Sequence, residues 1–197
     1  TIDKVDQVIT SKSFHPTISK FIDLENYISN GGYSLFKKLK SKEVTYEEIS
    51  KVISESNLRG LGGAGFPASK KWEFVRANKG PRMMCINGDE GEVGTFKDKY
   101  YLDTDPHRFL EGTLIAAHIV EAEKCFIYMR DEYPGIIKIL REEVKKIVKK
   151  GFVEENFIEV RRGAGAYICG EESALIESVE GKRGIPRHRP PYVAQNG

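Results

Sequence analysis

A chain of 197 residues, 40% of them hydrophobic, is long enough for one domain with a sizeable core and a modest appendage. Its 31 basic residues are nearly balanced by 29 acidic ones, and a net charge of +2 leaves no footprint for nucleic acid. No apolar run approaches bilayer length, no signal peptide is visible, and Cys85, Cys125 and Cys169 form neither a disulfide framework nor a C-x-x-C motif, so direct membrane insertion is excluded and a reducing cytoplasm is the expectation.

In chain order, residues 1–23 are weakly patterned and read as an extended or irregular arm. The stretch Asp23–Lys40 reads as two short helical pieces broken at Asn30-Gly31-Gly32, with Leu35, Phe36 and Leu39 at helical spacing. Thr45 caps a further helix with Glu48 as its capping-box partner, and Ile49, Val52 and Ile53 supply the apolar face. This helix leads straight into a glycine-rich stretch, Asn57–Pro67. A short helix follows over Pro67–Ala77, with Trp72 and Val75 inward. Met83–Ile86 reads as a buried strand. Pro106–Val120 is a helix capped by Asp105 or Thr104, with Phe109, Leu110, Leu114 and Ile115 as its stripe. Cys125–Met129 is a second strand. Pro134–Lys150 is a helix carrying Ile136, Ile137, Leu140, Val144 and Ile147 on one face, and its clustered lysines read as a solvated face and C-terminal end. Phe157–Val160 is a third strand. Strands alternating with such helices imply an α/β fold, a Rossmann-like three-layer domain with a mainly parallel sheet, preceded by a short helical N-terminal region. The expected division is an N-terminal arm with its helices over 1–56 and a ligand-binding α/β domain over 57–197. The chain opens on Thr1 and stops at Gly197 after a proline-rich stretch, which reads as a piece of something longer.

The glycine stretch places Gly60, Gly62, Gly63 and Gly65 ahead of a helix start. Residues without Cβ let the backbone approach a ligand, and the helix start adds N–H groups and a positive dipole end. That suits a phosphate, with Lys70 and Lys71 just beyond. The bland alternative is a flexible surface turn. Gly60, Gly62 and Gly65 match G-x-G-x-x-G, but a helix precedes them where the dinucleotide fingerprint needs a strand, and Phe66-Pro67 excludes a Walker A loop.

Ligands of parallel sheets bind beyond the carboxyl ends of the strands. After the first strand comes Asn87-Gly88-Asp89-Glu90-Gly91-Glu92. Its carboxylates repel phosphate but accept hydrogen bonds from ribose hydroxyls, a carboxamide or ring N–H groups. A divalent metal is a second reading, and a polar loop with no ligand a third. After the third strand, Arg161–Glu172 sets a small-residue loop, Tyr167, Gly170 and the pair Glu171-Glu172 at a helix start. Tyr167 suits stacking on a flat ligand, while the two acids also favour the helix dipole with no ligand at all. Arg130–Pro134 either lines the same crevice or only caps the next helix. Cys169 reads as a small buried residue rather than a nucleophile, and the four histidines lack metal-ligand spacing.

R-G-x-G-G-A-G-F-P at Arg59–Pro67, Lys71-Trp72, N-x-D-E-G-E-x-G-T-F-K-D at Asn87–Asp98, D-P-H at Asp105–His107, R-R-G-A-G-A-Y-I-C-G-E-E at Arg161–Glu172 and E-G-K-R-G at Glu180–Gly184 together resemble the NADH-binding flavoprotein subunit of respiratory complex I. The same module recurs in diaphorase subunits of NAD-reducing hydrogenases and NAD-dependent formate dehydrogenases, and the tail Pro186–Tyr192 with Ala174–Glu180 leans toward the formate dehydrogenase branch. The resemblance spans roughly Asp23 to Gly197. It implies an FMN- and NADH-binding oxidoreductase module that passes electrons through the flavin to iron–sulfur clusters beside a 2Fe–2S thioredoxin-like subunit, cytoplasmic or peripheral on the inner membrane face.

By this resemblance Gly60, Gly62, Gly63 and Lys71 hold the FMN phosphate side, and Asn87, Asp89, Gly170 and Glu171 the flavin and its ribityl chain. Phe66 and Phe74 sandwich the adenine of NADH. Glu90, Glu92, Tyr167 and Glu172 position the nicotinamide half, with Tyr192 closing from the tail. No side chain serves as acid or base. Leu61 stands where the family often has arginine and Val93 where proline is common. The family's later strand segment, small domain and four-cysteine 4Fe–4S bundle are not in this sequence, so no cluster is expected in this chain. The alternatives are a module that only docks a partner subunit, and a phosphate-binding hydrolase, which lacks its lysine and nucleophile.

Overall fold

The structure, a computed structural model, describes residues 21–195. Most of the expected N-terminal arm, residues 1–20, lies outside the described residues. Asp23 accepts a hydrogen bond from the Asn26 N–H at 2.9 Å and so caps helix α1, Leu24–Ser29. The chain turns through Gly31 and Gly32 into α2, Ser34–Lys40. A Cβ on Gly32 would lie 2.1 Å from the Tyr27 ring, so the turn accepts no side chain there. Phe36 and Leu39 are buried, while Leu35 is 38% exposed. The inward stripe is centred between Phe36 and Leu39, and Leu35 falls at its edge.

Helix α3, Tyr46–Glu55, begins with the expected capping box. Thr45 Oγ1 accepts from the Glu48 N–H at 3.3 Å and the Glu48 carboxylate accepts from the Thr45 N–H at 2.7 Å. Ile49 is buried and Ile53 packs beside it on a small core with Leu39, Ile119 and Trp72. That core is too narrow to reach Val52, which is exposed. Helix α4, Ala68–Ala77, is entered through Pro67.

The rest is an alternation of β1 (Met83–Gly88), α5 (Lys97–Thr104), α6 (Pro106–Val120), β2 (Lys124–Met129), α7 (Pro134–Lys149), β3 (Ile158–Arg162), a 3-10 turn (Tyr167–Gly170) and α8 (Glu172–Val179). The strands pair in the order β1-β2-β3, all parallel, with Ile86 opposite Ile127 and Ile127 opposite Val160. Side chains alternate across the pleat. Met84, Ile86, Cys125, Ile127, Met129, Ile158 and Val160 meet the stripes of α6 and α7. Cys85 and Tyr128 face the other way, against Leu175 and Ile176 of α8 and Cys169. The sheet is therefore helix-covered on both faces, as expected of an α/β fold.

Expectations change in this part of the chain as well. β1 is an edge strand, and its first residue, Met83, is exposed rather than buried. β3 starts at Ile158 and extends to Arg162, because Arg161 and Arg162 pair their backbones with Tyr128 and Met129. Helix α5 lies where the residues predict no element: its sequence, KDKYYLDT, has little helical periodicity and buries only Leu102.

A buried polar chain fastens α1 and α2 to this core. His107, fully buried, lies 2.9 Å from the Tyr33 hydroxyl and 2.8 Å from Glu143. Lys146 bonds the other Glu143 oxygen at 2.7 Å, and the Tyr27 hydroxyl donates to Glu111 at 2.7 Å. Burial pushes the His107 pKa down despite Glu143, which favours the neutral ring.

Candidate functional site

The site is built at the carboxyl ends of the strands. β1 ends at Gly88, where a Cβ would lie 2.6 Å from Met129 Sδ. The close strand pairing leaves glycine as the residue that fits, and the chain then leaves the sheet as the loop Asp89–Glu92. Asn87 Nδ2 donates to the Gly170 carbonyl at 2.8 Å, and Asn87 Oδ1 accepts from the Asp89 N–H at 3.1 Å. The Tyr167 ring lies on Gly91, 2.9 Å from where its Cβ would be. The loop after β1 and the turn after β3 thus form one wall, although about eighty residues separate them in the chain.

On this wall Tyr167 is 71% exposed and Glu92 is exposed beside it. Asp89 is half-buried, and burial, then the Glu132 charge, push its carboxyl up while Arg130 opposes. Glu90 points elsewhere. It is 2% exposed, accepts from the Asp98 and Lys99 N–H groups at 2.9 and 3.1 Å, and receives the Tyr133 hydroxyl at 3.2 Å. The Arg130 guanidinium donates to the Glu90 carbonyl. Glu90 is therefore the N-terminal cap of α5, and Arg130–Tyr133 closes this loop from the end of β2 as well as leading into α7. Sequence reading missed the cap because it missed α5.

Glu171 caps α8, accepting from the Ser173 and Ala174 N–H groups, each at 3.0 Å. Burial pushes its pKa up, but bonds from Ser173 and Ala174 and the Arg189 charge outweigh that and hold it below the usual carboxylate range. Arg189, from the tail, donates to Glu171 and lies 3.0 Å from Glu172. The tail and α8 bound a cleft of about 390 Å³. Tyr192 lies on this tail, 56% exposed, its N–H bonded to Gln195. Sequence reading assigned Arg189 no role; its acid partners lie well upstream, and no local spacing signals them.

The glycine stretch is a hairpin. Arg59 and Pro67 bridge antiparallel, and the Gly60 N–H donates to the Phe66 carbonyl at 2.9 Å. Gly63 and Gly65 have φ of +100° and +61°, which favour glycine. Gly60 and Gly62 do not, and a Cβ on Gly62 would meet nothing within 4 Å. Neither backbone nor packing within the chain requires glycine at Gly62; it keeps clear space over the hairpin tip. No side chain caps α4. Lys70 is paired with Glu73 at 2.8 Å, and Lys71 is exposed in the same first turn. Arg76 ties the far end of α4 to the Ile119 carbonyl at 2.6 Å, and Arg82 ties it to the start of β1.

Phe66 and Phe74 are exposed, with ring centroids 6.1 Å apart and tilted by 40°. A flat base between two rings needs roughly 7 Å, twice the contact distance, so these rings touch each other and leave no slot. Among the described residues, no hydrogen bond or ion pair joins the hairpin to the wall formed by the other two loops.

The family described as the Nuo51 FMN-binding domain matches residues 53–197. The chain belongs to this family. It is 47% identical over 182 residues to an NADH-quinone oxidoreductase subunit of Aquifex aeolicus, covering 88% of this chain and 42% of that protein. It is 41% identical over 185 residues to the mitochondrial NADH dehydrogenase [ubiquinone] flavoprotein 1 of Dictyostelium discoideum, covering 88% and 38%. The air-oxidized crystal structure of NAD+-reducing [NiFe]-hydrogenase superposes with a TM-score of 0.69 at 45% identity, over 75% of this chain and 26% of that one. The chain thus spans less than half the length of these relatives. The Nuo51 match begins within α3, so it takes in the hairpin, the Asn87 wall and the tail together, while α1 and α2 lie ahead of it. No described helix is long and apolar enough to cross a membrane, and no described group of three or more His, Cys, Asp or Glu residues could hold a metal ion.

Proposed function

We propose that this chain is the FMN- and NADH-binding module of a multisubunit oxidoreductase, with its ligand-binding part over 57–197. The observation that carries the reading is the joined wall, where Asn87 bonds Gly170 and Tyr167 lies on Gly91 at the carboxyl ends of a parallel sheet. When bound, FMN supplies the hydride acceptor for NADH. The protein contributes binding and orientation. The clear space at Gly62, the uncapped start of α4 and Lys71 suit the phosphate end of FMN, with Gly60 and Gly63 shaping the turn. The C-terminal end of α4 is anchored at the start of β1, and the hairpin lies at the other end of that helix. Asn87, Asp89, Gly170 and Glu171 hold the polar rim of the flavin and its ribityl chain. Glu92, Tyr167 and Glu172, exposed on the wall, receive the nicotinamide half, and Glu90 supports them by fixing the loop and α5. Phe66 and Phe74 offer a stacking face for adenine, which enters between them only if the rings part. Tyr192 closes from the tail.

The finer assignment follows the same reading. Two-electron chemistry at the flavin feeds or draws electrons through iron–sulfur centres, the nearest on a 2Fe–2S thioredoxin-like subunit, in a cytoplasmic or membrane-peripheral complex. The formate dehydrogenase branch rests on the resemblance of two segments, the tail Pro186–Tyr192 and Ala174–Glu180. The exposed run Val93, Phe96, Tyr100 and Tyr101 favours an additional role in subunit contact. The test is the full-length protein. It should show flavin absorbance and reduce ferricyanide with NADH; a folded full-length protein doing neither would overturn the proposal.

A further inference from the structure

The tail is strapped to α8 by more than one tie. The Arg187 N–H donates to Ser173 Oγ at 2.9 Å, and the Arg187 guanidinium pairs with Glu177. Gly184 lies so close to the turn after β3 that a Cβ would be 2.7 Å from Cys169 Sγ. These ties deliver Arg189 to Glu171 and Glu172 together. The Asn87–Gly170 bond joins this acid pair to the loop carrying Asp89 and Glu92, while the Glu90 carboxylate is turned away into the start of α5. Arg130 is committed to Glu132 and to the Glu90 carbonyl, and Arg162 is paired with Asp131.

We propose that Arg189 is a positioning residue for the nicotinamide–flavin site, acting through Glu171 and Glu172: by holding both carboxylates on one guanidinium it sets the net charge of that site. The inference rests on the reading that those two acids face the cofactors. Oxidised nicotinamide carries a positive ring and reduced nicotinamide does not, while reduction adds negative charge to the flavin. Arg189 therefore weakens NAD+ relative to NADH and raises the flavin's reduction potential. The bland counter-reading is a half-exposed ion pair of little energetic consequence.

The experiment uses the full-length, FMN-loaded protein and its Arg189→Gln and Arg189→Lys variants. Flavin content, midpoint potential and dissociation constants for NAD+ and NADH are measured. Loss of one unit charge in a partly buried cleft should tighten NAD+ relative to NADH by roughly tenfold and move the flavin potential to more negative values, with Arg189→Lys restoring most of both. Arg187→Gln, which loosens the strap without removing the charge on Glu171 and Glu172, should move neither by as much. An Arg189→Gln protein that keeps its flavin with unchanged potential and unchanged nucleotide preference overturns the proposal. So does loss of flavin and of cooperative melting in both Arg189 variants, which marks a structural tie only. A wild-type protein that holds no flavin is a different outcome: it removes the functional reading, and this inference with it.

Discussion

Gly62 in the hairpin and Gly88 at the end of β1 both belong to segments of the proposed site, yet they are glycine for opposite reasons. At Gly88 a Cβ would press on Met129 Sδ and the Tyr128 carbonyl of the neighbouring strand; at Gly62 it would meet nothing in the chain. Gly62→Ala should therefore leave the thermal midpoint nearly unchanged while weakening FMN by about tenfold or more, the consequence of a methyl group in the space a phosphate needs. Flavin-fluorescence titration checks the affinity, and unchanged FMN affinity would remove the phosphate assignment. Glu90→Ala should act on stability. It leaves the Asp98 and Lys99 N–H groups and the Tyr133 hydroxyl without their acceptor, a loss of about 1–3 kcal/mol, measurable by urea denaturation. The motif around Glu90 was legible in the sequence. The direction of that side chain was not, because it depends on a helix whose own residues announce it poorly.

At the scale of elements, legibility followed how much of each element's stability is local. α7 carries its reason in its own sequence: Ile136, Ile137, Leu140, Val144 and Ile147 recur at helical spacing, and all are buried. Leu140→Ala should destabilise by about 2–5 kcal/mol, since a fully buried leucine leaves a cavity against the sheet. α3 carries a local start signal in Thr45 and Glu48. Thr45→Ala should lose about 1 kcal/mol, seen as a small fall in the denaturation midpoint with no change in FMN binding. α5 is the opposite case, a helix started by an acid from another loop. β3 likewise gained Arg161 and Arg162 from ladder partners on β2, which local apolar patterning cannot anticipate.

At the scale of the whole molecule, the buried chain Tyr33–His107–Glu143, met at the surface by Lys146, joins the N-terminal helices to the α/β core. Its linkage to pH has a definite sign. His107 has its folded pKa below the ordinary value of 6.5, so below that pH the unfolded chain binds the proton first and stability falls as pH drops. Tyr27 and Tyr33 have pKa values raised, first by burial, so stability also falls as pH rises through the ordinary tyrosine value near 10. Thermal melts from about pH 5 to 11, the span covering both ordinary values, should show a plateau bounded by both losses. A His107→Gln variant should flatten the acid limb, and an unaltered acid limb would count against this network as its source.

By itself, the chain's own order of residues determined the α/β alternation, the helix stripes, the capping box and the motif set that marks the Nuo51 family, because periodicity, caps and turn glycines act between near neighbours. Tertiary structure alone decided that Asn87 meets Gly170, that Glu90 turns inward to cap α5, that Phe66 and Phe74 touch, and that Arg189 comes to Glu171 and Glu172. Those relations join residues distant in the chain or turn on side-chain orientation, and hydrogen-bond geometry and charge pairing select them only after the sheet has brought its strand ends together.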